Sequence, residues 1–382
     1  MIKIPTKFKK SDINFILIIF LTMSTMISYI PNISKFKFIQ HFIFVFIFII
    51  NIKEIFTTLT KYKINISILI FLAIYYGILL VIENNTNYGD FKVILVSFII
   101  YIVISSIKID ITKKEKIIYF TSVIYILVSF YIIFNIKGNF NINTTNGAYI
   151  YGSKNGLGPM LSLAGTYILY MYTFINSKLV YLILYLMSIW GLSILQARTA
   201  ILGIICASVL LFLIKFIKNN NLIFSMKLLL VIFTGSFIIL NIANELIDLI
   251  LKILRVDSDY SISTILSGRD LAMKYSIIFF KQNPLFGCLY NSDITYAYSS
   301  IHNLWIRSLF YGGIIYFLII IVYVWNLFKN IIKSYRGSKY LLFAVCIQMF
   351  ISTLFEPLAP FGPGTTYFLF WLILSLNIKQ LD

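Results

Sequence analysis

Few residues in this chain can do chemistry, and most of them fall close together. The stretch "SSIHNLWIRSLFYGG", residues 299–313, holds His302, one of two histidines in 382 residues, beside Asn303 and ahead of Arg307. It stands where a polar loop gives way to a run of hydrocarbon side chains. Just upstream, "ILSGRDLAMKYSIIFFKQNPLFG" places Arg269 in the first turn of an expected helix. Ser267 is its expected cap, Asp270 and Lys274 are spaced i, i+4, and Leu271, Tyr275, Ile278 and Phe279 share a face. Asn283-Pro284 should stop it. A cation in the first turn of a helix opposes the helix dipole, so Arg269 points to an anionic ligand. "GSKNGLGPM" opens another apolar run around Asn155; its amides suit a phosphate, and a flexible turn explains the glycines equally well. Glu356, in "TLFEPLAPFGPG", is a carboxylate at the end of an apolar run. At membrane depth such a group is a functional candidate by default, with pairing to an arginine as the other reading.

The elements that must position these residues are set by composition. Hydrophobic residues make up 60% of the chain and charged residues 12%, and mean hydropathy is +0.90. A soluble domain has about 25% charged residues. The apolar runs are near the length that a helix needs to cross hydrocarbon, about twenty residues. In that medium the backbone must satisfy its own hydrogen bonds. The expected fold is therefore an all-α polytopic membrane protein, a single integral membrane domain over 1–382, with about twelve transmembrane helices. They are expected near 13–31, 38–52, 64–82, 91–107, 117–136, 156–175, 179–196, 200–217, 226–244, 303–327, 340–355 and 365–379. The basic start "MIKIPTKFKKSD" lacks a cleavage site after its apolar run and reads as an anchor. Between the ninth and tenth spans lies the longest connection, an external loop over 245–302. A loop of that length usually works as a lid or binding element. Its opening, "ELIDLILKILRVDSDYSIST", has helical apolar spacing suited to the membrane surface.

The net charge of +18 does not indicate nucleic acid. With a cytoplasmic N-terminus, twenty of the thirty-two Lys and Arg fall on the cytoplasmic side, as the positive-inside rule expects. Both termini are then cytoplasmic, and the basic ends meet anionic lipid heads. Three cysteines form no framework: Cys206 and Cys346 lie in spans and Cys288 in the loop. No CxxC, HExxH, Walker loop or dinucleotide fingerprint occurs, and two distant histidines make a His-rich metal site unexpected. His41, in the short second span, reads as structural.

"SGRD…NPLFG…HNLWIRSLFYGGIIY" resembles the C-terminal signature of the bacterial O-antigen ligase and Wzy-type polymerase superfamily. Its pattern is His-Asn/Ser/Gln, nine residues, Gly, two residues, then Gly/Thr/Tyr; here His302-Asn303 precedes Gly313 and Tyr316 at that spacing. The family's R-x-x-x-L is met by Arg269 but has Met273 in the last place. "LQARTAILG" resembles the family's second external arginine at Arg198, and Asn155 its middle-span asparagine. The match is tightest over 260–320, while the first 140 residues agree only in hydropathy and span count. The resemblance implies metal-independent, cofactor-free glycosyl transfer at the outer face of the bacterial cytoplasmic (inner) membrane. The substrate would be an oligosaccharide on undecaprenyl pyrophosphate, and a chain-length regulator protein a partner. It further implies that Arg198 and Arg269, with Arg307 as a further ligand, clamp the pyrophosphate by bidentate pairing and stabilise the leaving group's charge. His302 would serve as general base or orient the acceptor. Asn303 would hold the histidine or a sugar, and Gly312 and Gly313 would let a backbone come close.

Simpler readings stand beside these. His302 next to Trp305 suits an interfacial anchor, Arg198 and Arg307 suit snorkelling to lipid phosphate, and Arg269 suits a loop ion pair with Asp270 or Asp293. A polymerase, building O-antigen of lipopolysaccharide or a capsule, is favoured over a ligase by the imperfect R-x-x-x-L. A flippase for lipid-linked oligosaccharide is the reading from another class, but no internal repeat of the kind common in transporters is present.

Overall fold

The computed structural model describes residues 9–27, 38–61, 67–68, 70–71, 74–75, 89–135, 147–195, 197–219, 269–287, 301–332, 338–362 and 366–377. Among them it is all-helical, with no strand. The helices are α1 (Lys10–Ile27), α2 (Ile39–Ile50), α3 (Ile52–Lys61), α4 (Gly89–Ser106), α5 (Ile111–Asn135), α6 (Gly147–Tyr170), α7 (Leu179–Leu195) and α8 (Arg198–Asn219), followed by α9 (Arg269–Gln282), α10 (Leu304–Ile332), α11 (Lys339–Phe355) and α12 (Phe368–Asn377). A π-turn, Met171–Ile175, extends α6.

Among the described residues, three segments are long and apolar enough to cross a membrane, Ile111–Phe134, Arg198–Lys218 and Leu304–Lys329. A fourth arises if the bent pair α2–α3 counts as one span. That pair corrects the expectation of a simple short span at 38–52, because the chain turns by 72° there. The break falls at Asn51, whose φ and ψ of −108° and 17° leave the helix. Its side chain donates to Ile47 O at 2.9 Å and pairs reciprocally with Asn14, at 3.1 and 2.9 Å. Two fully buried amides thus satisfy each other where lipid offers no water. The expected span at 226–244 lies outside the described residues, as does most of 64–82 and of the 245–302 loop.

Contacts along the helices fix their directions. α1 and α5 run parallel: Ser11 donates to Asp110 just before α5, Thr22 meets Thr121 and Thr25 meets Tyr125. α2 runs against α1, since the Asn14–Asn51 pair joins the start of one to the end of the other. α6 runs against α5, with Tyr167 near the end of α6 donating to Glu115 O at 3.2 Å. α6 and α8 are parallel and close, Gly158 facing Ala197 and Gly165 facing Ile204. α11 runs against α8: Gly203 packs on Gln348, and Lys218 lies 5.6 Å from the Tyr340 ring. α10 runs against α11, joined by Trp305–Thr353 at one end and Phe328–Phe343 at the other. α12 lies parallel to α4, Gly362 against Val93 and Ser375 bonding to Tyr101 O.

Small residues permit these approaches, as helix packing in lipid requires. A β-carbon at Gly158 would stand 2.8 Å from that of Ala197, and one at Gly165 2.7 Å from Ile204 Cδ1. Gln348 then ties three helices: its Oε1 accepts from Thr166 at 2.7 Å and its Nε2 donates to Ser162. Ser162 in turn donates to Ala200 O at 2.9 Å. This buried node sets α6, α8 and α11 in one register.

The opposite end of the bundle carries a charged clasp. Lys113 binds Asp12 and Asp110, both at 2.8 Å, and Lys10 binds Glu54 at 2.7 Å. The Lys113 ammonium holds the Asp110 carboxyl below its ordinary range.

Candidate functional site

Because α6 and α8 are parallel to each other, and α10 and α11 antiparallel, one end of the bundle gathers the starts of α8 and α10 and the end of α11. Arg198 is the first residue of α8 and is partly buried. His302 and Asn303 head α10, and Glu356 closes α11. Asn155 lies one turn before Gly158 on α6, so its backbone belongs to the same end. The described elements therefore bring together Arg198, Asn155, His302, Asn303 and Glu356 from four stretches of sequence.

Asn303 caps α10. Its Oδ1 accepts the Ile306 amide at 3.0 Å, a bond of the kind that satisfies a bare N-terminal donor. Its Nδ2 donates to Leu354 O at 3.1 Å, and Trp305 Nε1 donates to Thr353 Oγ1 at 2.9 Å. Two bonds thus fasten the head of α10 to the tail of α11. Trp305 also packs edge-on against Phe317. Asn303, expected to hold the histidine or a sugar, holds the two helix ends instead.

That fastening sets His302 opposite Glu356. Nδ1 of His302 lies 3.9 Å from Glu356 Oε2, with the side chains 26% and 19% exposed. The separation exceeds a hydrogen bond, and Nδ1 is covered without a hydrogen-bond partner. Glu356 thus faces the histidine; the sequence had suggested an arginine as its partner. Arg307, one turn further along α10, places its guanidinium carbon 4.6 Å from the Tyr311 ring centroid. This is a cation–π distance.

The glycines of the motif have a clear structural cause. α10 breaks at Gly313, whose φ and ψ are 63° and −164°. Into that break fits the turn after α9. Pro284 O accepts the Ile314 amide at 2.9 Å, and Gly287 N–H closes the turn on Asn283 O at 2.8 Å. A β-carbon on Gly313 would stand 2.2 Å from Leu285 O, and one on Gly287 2.4 Å from Phe310 O. The expectation that Gly313 lets a backbone come close is what the fold does, and the backbone is that of the "NPLFG" turn. Tyr75, which no motif marks, donates its hydroxyl to Gly312 O and stacks on Tyr316 at 6.2 Å.

Arg269 opens α9, which ends at Gln282 just before the Asn283-Pro284 stop, as expected. Of the residues expected to share a face, Tyr275 and Ile278 are each 43% exposed, and Phe279 meets Phe310 edge to face at 6.1 Å; Ser276 is buried. α9 packs on α10 through Phe279 and the turn at 283–287. Ser267, Cys288 and Asp293 lie outside the described residues. Arg198 and Arg269 share one feature, each being the first residue of its helix, where the dipole favours anions. Among the described residues no three of His, Cys, Asp and Glu gather as metal ligands would.

No known family model matches the chain, and no curated protein is similar to it.

Proposed function

We propose that the protein is a polysaccharide polymerase of the outer face of the bacterial cytoplasmic membrane. It transfers a glycan from undecaprenyl pyrophosphate onto the next lipid-linked repeat unit. The observation that carries this reading is the motif His302-Asn303…Gly313…Tyr316, whose parts have distinct physical uses in one place. Asn303 seats the head of α10, Gly313 admits the loop turn after Arg269's helix, and His302 is left at the bundle end beside Glu356.

About twelve spans accompany this reading, and the helix directions support it. α2 and α4 point the same way, because α1 opposes α2 and is parallel to α5, and α5 follows α4 through a short connection. α8 and α10 also share a direction, since both oppose α11. Helices that share a direction need a return crossing between them. In sequence, the spans expected at 64–82 and 226–244 fall between the members of these two pairs. The charged clasp of Lys10, Lys113 and their partners lies at the other end, which suits a cytoplasmic N-terminus.

In the proposed reaction the acceptor hydroxyl gives its proton to His302 as its oxygen bonds the anomeric carbon. The bond from that carbon to the pyrophosphate oxygen breaks, and the lipid pyrophosphate leaves with the electron pair. Arg198, Arg269 and Arg307 hold the departing charge. Alanine at Arg269 or His302 is expected to abolish polymer in cells while the protein is still made. Unchanged glycan in either variant refutes the assignment. Deleting the protein distinguishes the classes: single repeat units on the acceptor mean polymerase. Full-length chains stranded on undecaprenyl pyrophosphate mean ligase, and units trapped on the cytoplasmic leaflet mean transport.

A further inference from the structure

We infer that Glu356 is a positioning residue for His302, holding its imidazole as the Nδ1–H tautomer so that Nε2 carries the free lone pair. The catalytic consequence rests on the reading of His302 as base; the tautomer itself does not.

Three observations carry the inference. First, Nδ1 is covered and has no hydrogen-bond partner, although about a quarter of the side chain remains open. A covered ring nitrogen is costly to leave unmatched, and a nearby carboxylate favours the N–H form there. Second, among the described residues the carboxylate that faces that nitrogen is Glu356, with Oε2 at 3.9 Å. Third, the backbones that carry the two groups are fastened by Asn303 Nδ2 to Leu354 O and by Trp305 to Thr353. The remaining gap, about 1 Å beyond hydrogen-bond length, closes by side-chain rotation alone. Which nitrogen of a histidine bears the proton is set by the partner of the other one.

Among the described residues at this end, Arg307 lies on α10 over Tyr311 and Arg198 heads α8. A carboxylate against Nδ1 offsets the positive charge that forms on the ring when Nε2 takes the acceptor proton. The pull between imidazolium and carboxylate then draws the pair together, and the proton leaves Nε2 to solvent after the product departs.

The chain has two histidines, which makes a direct test practicable. Histidine labelled with ¹⁵N is introduced into the full-length protein in lipid bilayers, with His41→Gln removing the second signal, and magic-angle-spinning NMR reads both ring nitrogens. The expected result is the Nδ1–H tautomer at high pH. Glu356→Gln keeps an oxygen acceptor opposite Nδ1 and is expected to retain the Nδ1–H tautomer. Glu356→Ala is expected to let the Nε2–H tautomer appear. Glu356→Asp keeps the charge with a shorter reach and is expected to fall between the two. If the Nδ1–H tautomer persists unchanged in the Ala variant, or is absent from the unsubstituted protein, the inference is overturned, whatever the activity. With a synthetic lipid-linked repeat unit as substrate, Glu356→Gln is expected to reduce kcat about a hundredfold with KM unchanged. An Nε2–H tautomer in Glu356→Ala with unaltered kcat would keep the tautomer assignment and overturn His302 as the base.

Discussion

Replacing Gly313 by alanine tests whether the loop turn and the break in α10 form one unit. At φ 63° and ψ −164° the residue occupies a region essentially reserved for glycine, and a side chain there costs about 1–3 kcal/mol. The new β-carbon would also stand 2.2 Å from Leu285 O, 2.4 Å from Leu285 C and 2.5 Å from Phe286 N. All three are backbone atoms, so no side-chain rotation relieves the clash. The turn must withdraw, and with it goes the bond from Ile314 N–H to Pro284 O, worth about 1 kcal/mol. The expected loss is therefore about 2–4 kcal/mol, strain and bond together. Thermal unfolding of the purified protein in one detergent reads it, with Leu318→Ala, on an exposed face of the same helix, as the control. Gly287→Ala strikes the same contact from the other side, since its β-carbon would lie 2.4 Å from Phe310 O and 2.7 Å from Gly313 N. Once one substitution has undocked the turn, the second has less to remove, so the double variant should lose clearly less than the sum. A Gly313→Ala protein as stable as the control, or a strictly additive double variant, refutes the reasoning.

Other outcomes follow from the same geometry. Gln348→Ala removes the partner of both Thr166 and Ser162 and is expected to lower stability by about 1–2 kcal/mol in the same unfolding assay. Asn14→Ala leaves Asn51 Oδ1 without its donor in a fully buried site, at a cost of about 1–3 kcal/mol; Asn14→Ala with Asn51→Leu should recover part of it. Asp110 has its carboxyl held low by Lys113, so its contribution is present above the ordinary carboxylate range and is lost as pH falls through its lowered folded value. Thermal stability scanned down from neutral pH should fall below about pH 4, and Asp110→Asn should reduce that fall. Arg307→Lys keeps the charge but loses the planar fork and most of the stacking on Tyr311; polymer yield should drop while Arg307→Lys protein accumulates normally.

The sequence determined a good deal by itself, because hydrocarbon length and backbone saturation leave few options. Apolar runs at 91–107, 117–136, 179–196, 200–217 and 340–355 all became helices close to those limits, and Asn283-Pro284 ended α9 for the reason proline always does. The candidate residues Arg198, Arg269, His302 and Glu356 are visible as rare polar groups at the edges of such runs. Tertiary structure decided which of them meet. That Glu356 faces His302 depends on the antiparallel register of α10 and α11, fixed by Asn303–Leu354 and Trp305–Thr353. The bend at Asn51 depends on an amide thirty-seven residues away in sequence, and the buried face of α9 on a turn that docks into another helix. Nothing in the spacing of Tyr75 announces that its hydroxyl meets Gly312 O, 237 positions on. Side-chain type and local period are properties of a segment. A pairing across helices depends on how whole segments slide and rotate against one another, and in this chain a few glycines and buried amides set that.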